Sequence, residues 1–104
     1  MSDVEFQSGD RIFEWDEEKN RLNKIKHGIS FKTAVNIFLD KNIIEWRDDF
    51  HSDDEERWQA IGKAENVLFV VYTDRGEKTR IISARKATAR ERRWYYGNRD
   101  VYFA

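Results

Sequence analysis

Val67-Leu68-Phe69-Val70-Val71 is apolar on both alternations of an extended chain, which marks it as a middle strand covered on its two faces. Arg57 to Lys63 and Lys78 to Lys86 flank it as strand-like runs, joined through Ala64-Glu65-Asn66 and a turn around Arg75-Gly76. The three runs predict an antiparallel meander. Ile43, Ile44 and Trp46 predict a further strand before it, and the acidic segment from Asp48 to Glu56 predicts a solvated loop between them.

Upstream, Arg11 to Trp15 predict a short strand, with Asp16 as the N-cap of a helix whose first turn holds Glu17 and Glu18. Leu22 and Ile25 mark that helix's apolar face, and Gly28 stops it. Ser30 caps a second helix in which Phe31, Ala34, Val35 and Phe38 follow the i, i+3, i+4, i+7 template. Thr88 and Glu91 stand at capping-box spacing and open a last helix from Ala89 to about Tyr96. The reading is α+β: a small antiparallel meander packed against two N-terminal helices, with a C-terminal helix. Residues 1–10 are expected to form a flexible arm, 11–97 one domain, and 98–104 a tail.

A chain of 104 residues with 39% hydrophobic content supports one modest core, and 14% aromatic residues supply the apolar area that a chain with 38% charge needs in order to fold. The absence of cysteine excludes disulfides, thiolate ligands and a cysteine nucleophile. No stretch approaches the roughly eighteen apolar residues of a membrane span, and the N-terminus lacks the features of a signal peptide. The expectation is a cytoplasmic protein without membrane association. His27 and His51 are too few for a structural zinc site, and no glycine-rich phosphate loop occurs. No cofactor or metal is expected.

The net charge of −1 conceals a division. Residues 75–99 carry nine Lys or Arg against two Glu, whereas the remainder carries ten against eighteen Asp or Glu. Within the basic part, Ser83 and Arg85 share one face of a strand by alternation, with Thr79 and Ile81; Arg80, Ile82, Ala84 and Lys86 take the other. A hydroxyl beside a guanidinium suits a phosphate, the guanidinium providing a bidentate fork. Arg57 opens the meander's first strand and stands about 10 Å from the strand of Arg85, two strand spacings away; hairpin register decides whether the two face one way. On the last helix Arg92 lies four residues before Tyr96, and Arg93 adjoins Trp94, an interleaving found on surfaces that bind bases and phosphates. The same pattern is also read as solvated arginines with Trp94 or Tyr95 in the core. His51 is a candidate base or ligand in a solvated loop, and His27 a residue at the negative end of a helix dipole.

Phe13-Glu14-Trp15-Asp16 with Lys19 and Asn20, Lys26-His27-Gly28-Ile29-Ser30-Phe31, Glu56-Arg57, Ile61-Gly62, Val70-Val71-Tyr72-Thr73, Arg75-Gly76, and Arg80 to Ala87 through Glu91-Arg92 and Tyr95 together resemble the BrnT family, ribonuclease toxins of type II toxin–antitoxin modules. The resemblance covers about residues 13–96. It implies a RelE-like fold and metal-independent cleavage of RNA that arrests translation. It also implies a partner antitoxin, BrnA, which occludes the toxin and carries a DNA-binding domain for repressing their shared operon. Arg57, Ser83 and Arg85 match the polar positions of a catalytic face, accompanied by Lys86, Glu91 and Tyr95. Arginine is too weak an acid to serve as a base, so Arg57 and Arg85 are expected to clamp phosphate and Ser83 to orient it. Proton transfer is left among Glu91, His51, Tyr95 and Lys86. Two other classes fit the same residues: a noncatalytic nucleic-acid- or protein-binding module, and a structural partner whose basic face meets an acidic antitoxin.

Overall fold

The computed structural model describes residues 2–50 and 55–100, with side chains to residue 97. Six strands form one mixed sheet: β1 (Asp3–Ser8), β2 (Arg11–Asp16), β3 (Ile44–Arg47), β4 (Arg57–Ala64), β5 (Asn66–Arg75) and β6 (Lys78–Lys86). Their spatial order is β1-β2-β6-β5-β4-β3. The helices are α1 (Glu17–His27), α2 (Phe31–Ala34) and α3 (Ala89–Asp100). The meander β4-β5-β6 forms as its sequence requires, its β4–β5 pair in unbroken antiparallel register from Arg57↔Thr73 to Ala64↔Asn66.

Several expectations need correction. Residues 3–8 are not a loose arm. Val4 and Phe6 alternate with Asp3, Glu5 and Gln7, pair with β2 across a turn in which Gly9 has φ 61°, and pack their rings and methyls on the core. The sheet is also not wholly antiparallel, because β2 runs parallel to β6 over Ile12↔Lys78 to Glu14↔Arg80. The second helix lasts one α-turn and continues as a 3₁₀ segment, Val35–Leu39. The tighter winding turns Ile37 into the core beside Gly62, where a Cβ would stand 2.8 Å from that of Ile37. Finally, α3 extends to Asp100, past the expected tail boundary at 98; residues 101–104 lie outside the described part.

Helix α1 begins at the expected Asp16 cap, whose carboxylate accepts from Glu18 N at 2.9 Å, and ends at Gly28 with φ 72°. Its orientation inverts the expectation. Leu22 and Ile25 face solvent, 50% and 71% exposed, while Asn20 and Asn23 are buried. Asn23 explains why. Beyond Arg80 the β2 side of β6 has no strand neighbour, and the Asn23 carboxamide takes that place, donating to Ala84 O at 2.7 Å and accepting from Ala84 N at 3.2 Å. It also reaches Ile29 O at 2.8 Å. Buried backbone groups left unpaired cost more than exposed leucines do, so the polar face turns inward.

One face of the sheet, carrying Phe13, Trp15, Ala60, Leu68, Val70, Tyr72, Ile81 and Ala84, packs on Phe31, Ala34, Val35 and Ile37 as the main core. On the other face a smaller cluster forms at one end, where Tyr95 and Ala87 meet Ile61 and Val67, with Ile44, Trp46 and Phe69 around them. The rest of that second face is not roofed by α3.

Candidate active site

Register lays out the second face in rows. Arg85, Phe69, Ile61 and Ile44 pair across four strands beside α3. The next row is Ser83, Val71, Gln59 and Trp46, and the next Arg80, Thr73 and Arg57. Strict alternation along β6 fails, because the register skips Ile82 between Tyr72↔Ile81 and Val71↔Ser83. This bulge sends both Ile81 and Ala84 into the main core, so Thr79 and Ile81 part company with Ser83 and Arg85, which stay together on the second face.

Arg57 therefore shares a face with Ser83 and Arg85. It does not stand abreast of Arg85: two strand spacings sideways and four residues lengthwise separate them, about 16 Å between Cα atoms. Ser83 lies between, with the half-buried Val71 and Gln59 as the floor. Its hydroxyl has no side-chain hydrogen-bond partner among the described residues.

Arg85 is held on three sides. Its guanidinium forms a bidentate fork with Glu91, at 2.8 and 2.9 Å, and lies 4.1 Å over the ring centre of Phe69. Nη1 also donates to Lys86 O at 3.2 Å. Glu91 in turn closes the capping box, accepting from Thr88 N at 2.8 Å while its own N–H donates to Thr88 Oγ1 at 3.1 Å. The hydrogen bonds from Arg85, above all, hold the Glu91 carboxyl below its ordinary pKa. Glu91 is thus an ionised brace linking α3 to β6, with both oxygens engaged.

Two expected members of the site lie elsewhere. Tyr95 is 1% exposed, and its phenol donates to Asp40 within the smaller core cluster. Lys86 pairs with Leu68 and belongs to the opposite face of β6, where it is exposed. His51 falls outside the described residues, and His27 ends α1 as expected. Reading along the chain missed Gln59 and Asn23, since only register places one in the row of Ser83 and only the docking of α1 places the other on the Ala84 backbone.

The cations of this face differ in their partners. Arg80 meets Asp3 at 3.1 Å and Glu14 at 3.2 Å, Lys78 meets Glu5, and Arg75 meets Glu55 at 3.1 Å. At the other end the exposed Arg90 and Arg93 of α3 make no ion pair among the described residues, and Arg92 donates to Ala87 O at 3.0 Å. A hollow lined by Arg92, Arg93, Ala89, Tyr96 and Gly97 opens there.

No curated protein matches the chain. The crystal structure of the Brucella abortus ribonuclease toxin BrnT superposes with a TM-score of 0.55 and 28% identity, over 71% of this chain and 92% of that one. The family model described as "Ribonuclease toxin, BrnT, of type II toxin-antitoxin system" matches residues 15–91, which contain every strand of the site and the Arg85–Glu91 fork. The chain belongs to the BrnT family of type II toxin–antitoxin systems.

Proposed function

We propose that this protein is a cytoplasmic toxin that cleaves RNA without a metal, through the RNA's own 2′-hydroxyl, and so inhibits translation. A BrnA-like antitoxin, DNA-binding and autorepressing in complex, holds it in check. The observation that carries this reading is the Ser83 and Arg85 pair on an open sheet face, with the guanidinium already fixed in place and Arg57 bordering the same face. The sheet with helices packed on it supports a RelE-like relationship.

In-line attack of the 2′-hydroxyl on phosphorus builds negative charge on the equatorial oxygens. Preoriented cations stabilise that charge without reorganising, an effect worth about 10²–10³ in rate for a single donor. Arg85 is the principal clamp, Ser83 orients a phosphate oxygen or the 2′-hydroxyl, and Arg57 meets the backbone of a neighbouring nucleotide. Glu91 positions Arg85 instead of moving protons, since a carboxylate held below its usual pKa is a poor base near neutrality. The burial of Tyr95 and the opposite facing of Lys86 argue against either as proton donor.

Purified protein incubated with RNA in EDTA should release fragments ending in 2′,3′-cyclic phosphate, and Arg85→Ala should stop their release. Intact RNA under these conditions overturns the reading. The pairing of Arg85 with Glu91, beside exposed Arg90 and Arg93 that make no ion pair among the described residues, favours a second reading, a noncatalytic RNA-binding surface. It predicts retained affinity with steep salt dependence and no cleavage.

A further inference from the structure

Beside Gln59, where β3 runs into the following loop, a hollow of about 280 Å³ is lined by Trp46, Arg47, Asp48, Asp49, Phe50 and Gln59. We infer that it is a nucleobase pocket of the RNA site, taking an unstacked base that bears an exocyclic amine. The inference rests on the ribonuclease reading and adds a specificity determinant to it.

Position comes first. Gln59 and Trp46 complete the row that begins at Ser83. Gln59 is two strands from Ser83, about 10 Å, so a nucleotide whose phosphate lies over Ser83 and Arg85 extends its base toward the hollow across Val71.

The chemistry of the lining comes second. Trp46 Nε1 donates to Gln59 Oε1 at 2.7 Å, and Gln59 Nε2 donates to Asp48 Oδ2 at 3.0 Å. An indole only donates and a carboxylate only accepts, so the amide is fixed with its oxygen toward Trp46 and its nitrogen toward Asp48. One N–H and one lone pair of the amide remain, a donor and acceptor set that meets the edge of a base. Asp48, 7% exposed, is itself anchored by Phe50 N at 3.1 Å. Asp49 is ion-paired with Arg47 at 3.1 Å, and with Asp48 it leaves the lining two carboxylates to one cation, a net negative charge that favours an amine over phosphate or the carbonyl-rich edge of uracil.

The walls come third. Phe50 is 90% exposed and makes no aromatic pair among the described residues, while Trp46, packed against Trp94 at 4.9 Å and Phe69 at 6.0 Å, also lines the hollow. A large ring left in water beside a polar hollow is the arrangement by which proteins stack single-stranded bases. The whole site is thereby polarised, cationic over β6 and acidic beside β3, which matches a nucleotide laid with its phosphate at one end and its amine at the other.

The test uses the full chain and four short RNA oligonucleotides that differ only at the base next to the cleaved bond. Wild type should cut the uracil substrate at least about tenfold more slowly than the preferred amine-bearing one. Phe50→Ala removes a side chain with no packing to lose, and should lower kcat/KM on the preferred substrate roughly 5- to 100-fold through KM, flattening the preference. Gln59→Leu should also flatten it. Cleavage with an unchanged base preference in Phe50→Ala overturns the pocket and leaves the ribonuclease reading standing. If wild type cuts nothing, binding of the same oligonucleotides carrying a 2′-deoxy sugar, read by tryptophan fluorescence, decides. A base preference lost in Phe50→Ala sustains the pocket, and equal binding of all four overturns it.

Discussion

Arg80 and Arg85 sit on the same strand and the same face, five residues apart, yet they belong to different electrostatic worlds. Arg80 lies against the N-terminal hairpin between two carboxylates, Asp3 and Glu14, and its pKa rises chiefly through the hydrogen bond to Asp3. Its side chain is only 16% exposed. Arg85 meets the single carboxylate of Glu91, is 35% exposed, and is followed by Arg90, Arg92 and Arg93 on α3. A phosphate approaching Arg80 meets a guanidinium already shared between two carboxylates, whereas one approaching Arg85 meets a single carboxylate and the neighbouring arginines of α3. Identical side chains thus serve as a tie between sheet elements at one end and as an anion site at the other, because the neighbours and not the guanidinium set the local potential.

Substituting each arginine in turn is the strongest way to break this contrast. Arg85→Ala should lower the cleavage rate about 10²–10³-fold, and Arg85→Lys should not restore it, since an ammonium makes neither the fork to Glu91 nor the stack on Phe69. Arg80→Ala should leave cleavage by the folded protein within a few-fold of wild type and lower the denaturation midpoint. Equal losses of activity from the two substitutions would erase the distinction.

Tyr95→Phe sharpens the boundary of the basic end. Removing a buried hydroxyl that donates to a carboxylate costs about 1.5–3 kcal/mol, read by denaturant unfolding, with kcat unchanged below the midpoint. A loss of kcat without loss of stability would return Tyr95 to the chemistry. The smallest expected effect concerns pH. The Glu91 carboxyl titrates below its ordinary value of 4.5 in the folded protein, so its contribution is complete above that value and fades as pH falls through the lower, folded pKa. Wild type should therefore lose stability on acidification over that range, and Glu91→Gln should show a shallower decline; parallel profiles would count against the brace.

The meander, both helix caps of the first two helical segments, the capping box of Thr88 and Glu91, and the adjacency of Ser83 and Arg85 were legible from residue order. They depend on contacts within a few residues, where alternation and cap chemistry govern. Strand β1 was not: residues 1–10 read as a polar arm, and only the pairing with β2 makes Val4 and Phe6 one face of a strand. The face of α1 was not: Leu22 and Ile25 look like a core stripe until the unpaired edge of β6 claims Asn23.

By itself, then, the sequence determined the three strands of the meander, where helices begin, and that cations gather late in the chain; the first two follow from short-range sterics and hydrogen bonding, the third from composition alone. Tertiary structure alone decided that Arg57 faces the same way as Arg85, that Lys86 and Tyr95 leave the site, and that Gln59 and Trp46 join the row of Ser83. Register between strands, a single bulge and the docking of α3 set those outcomes, and each is chosen by burial across the whole sheet rather than by any local run of residues.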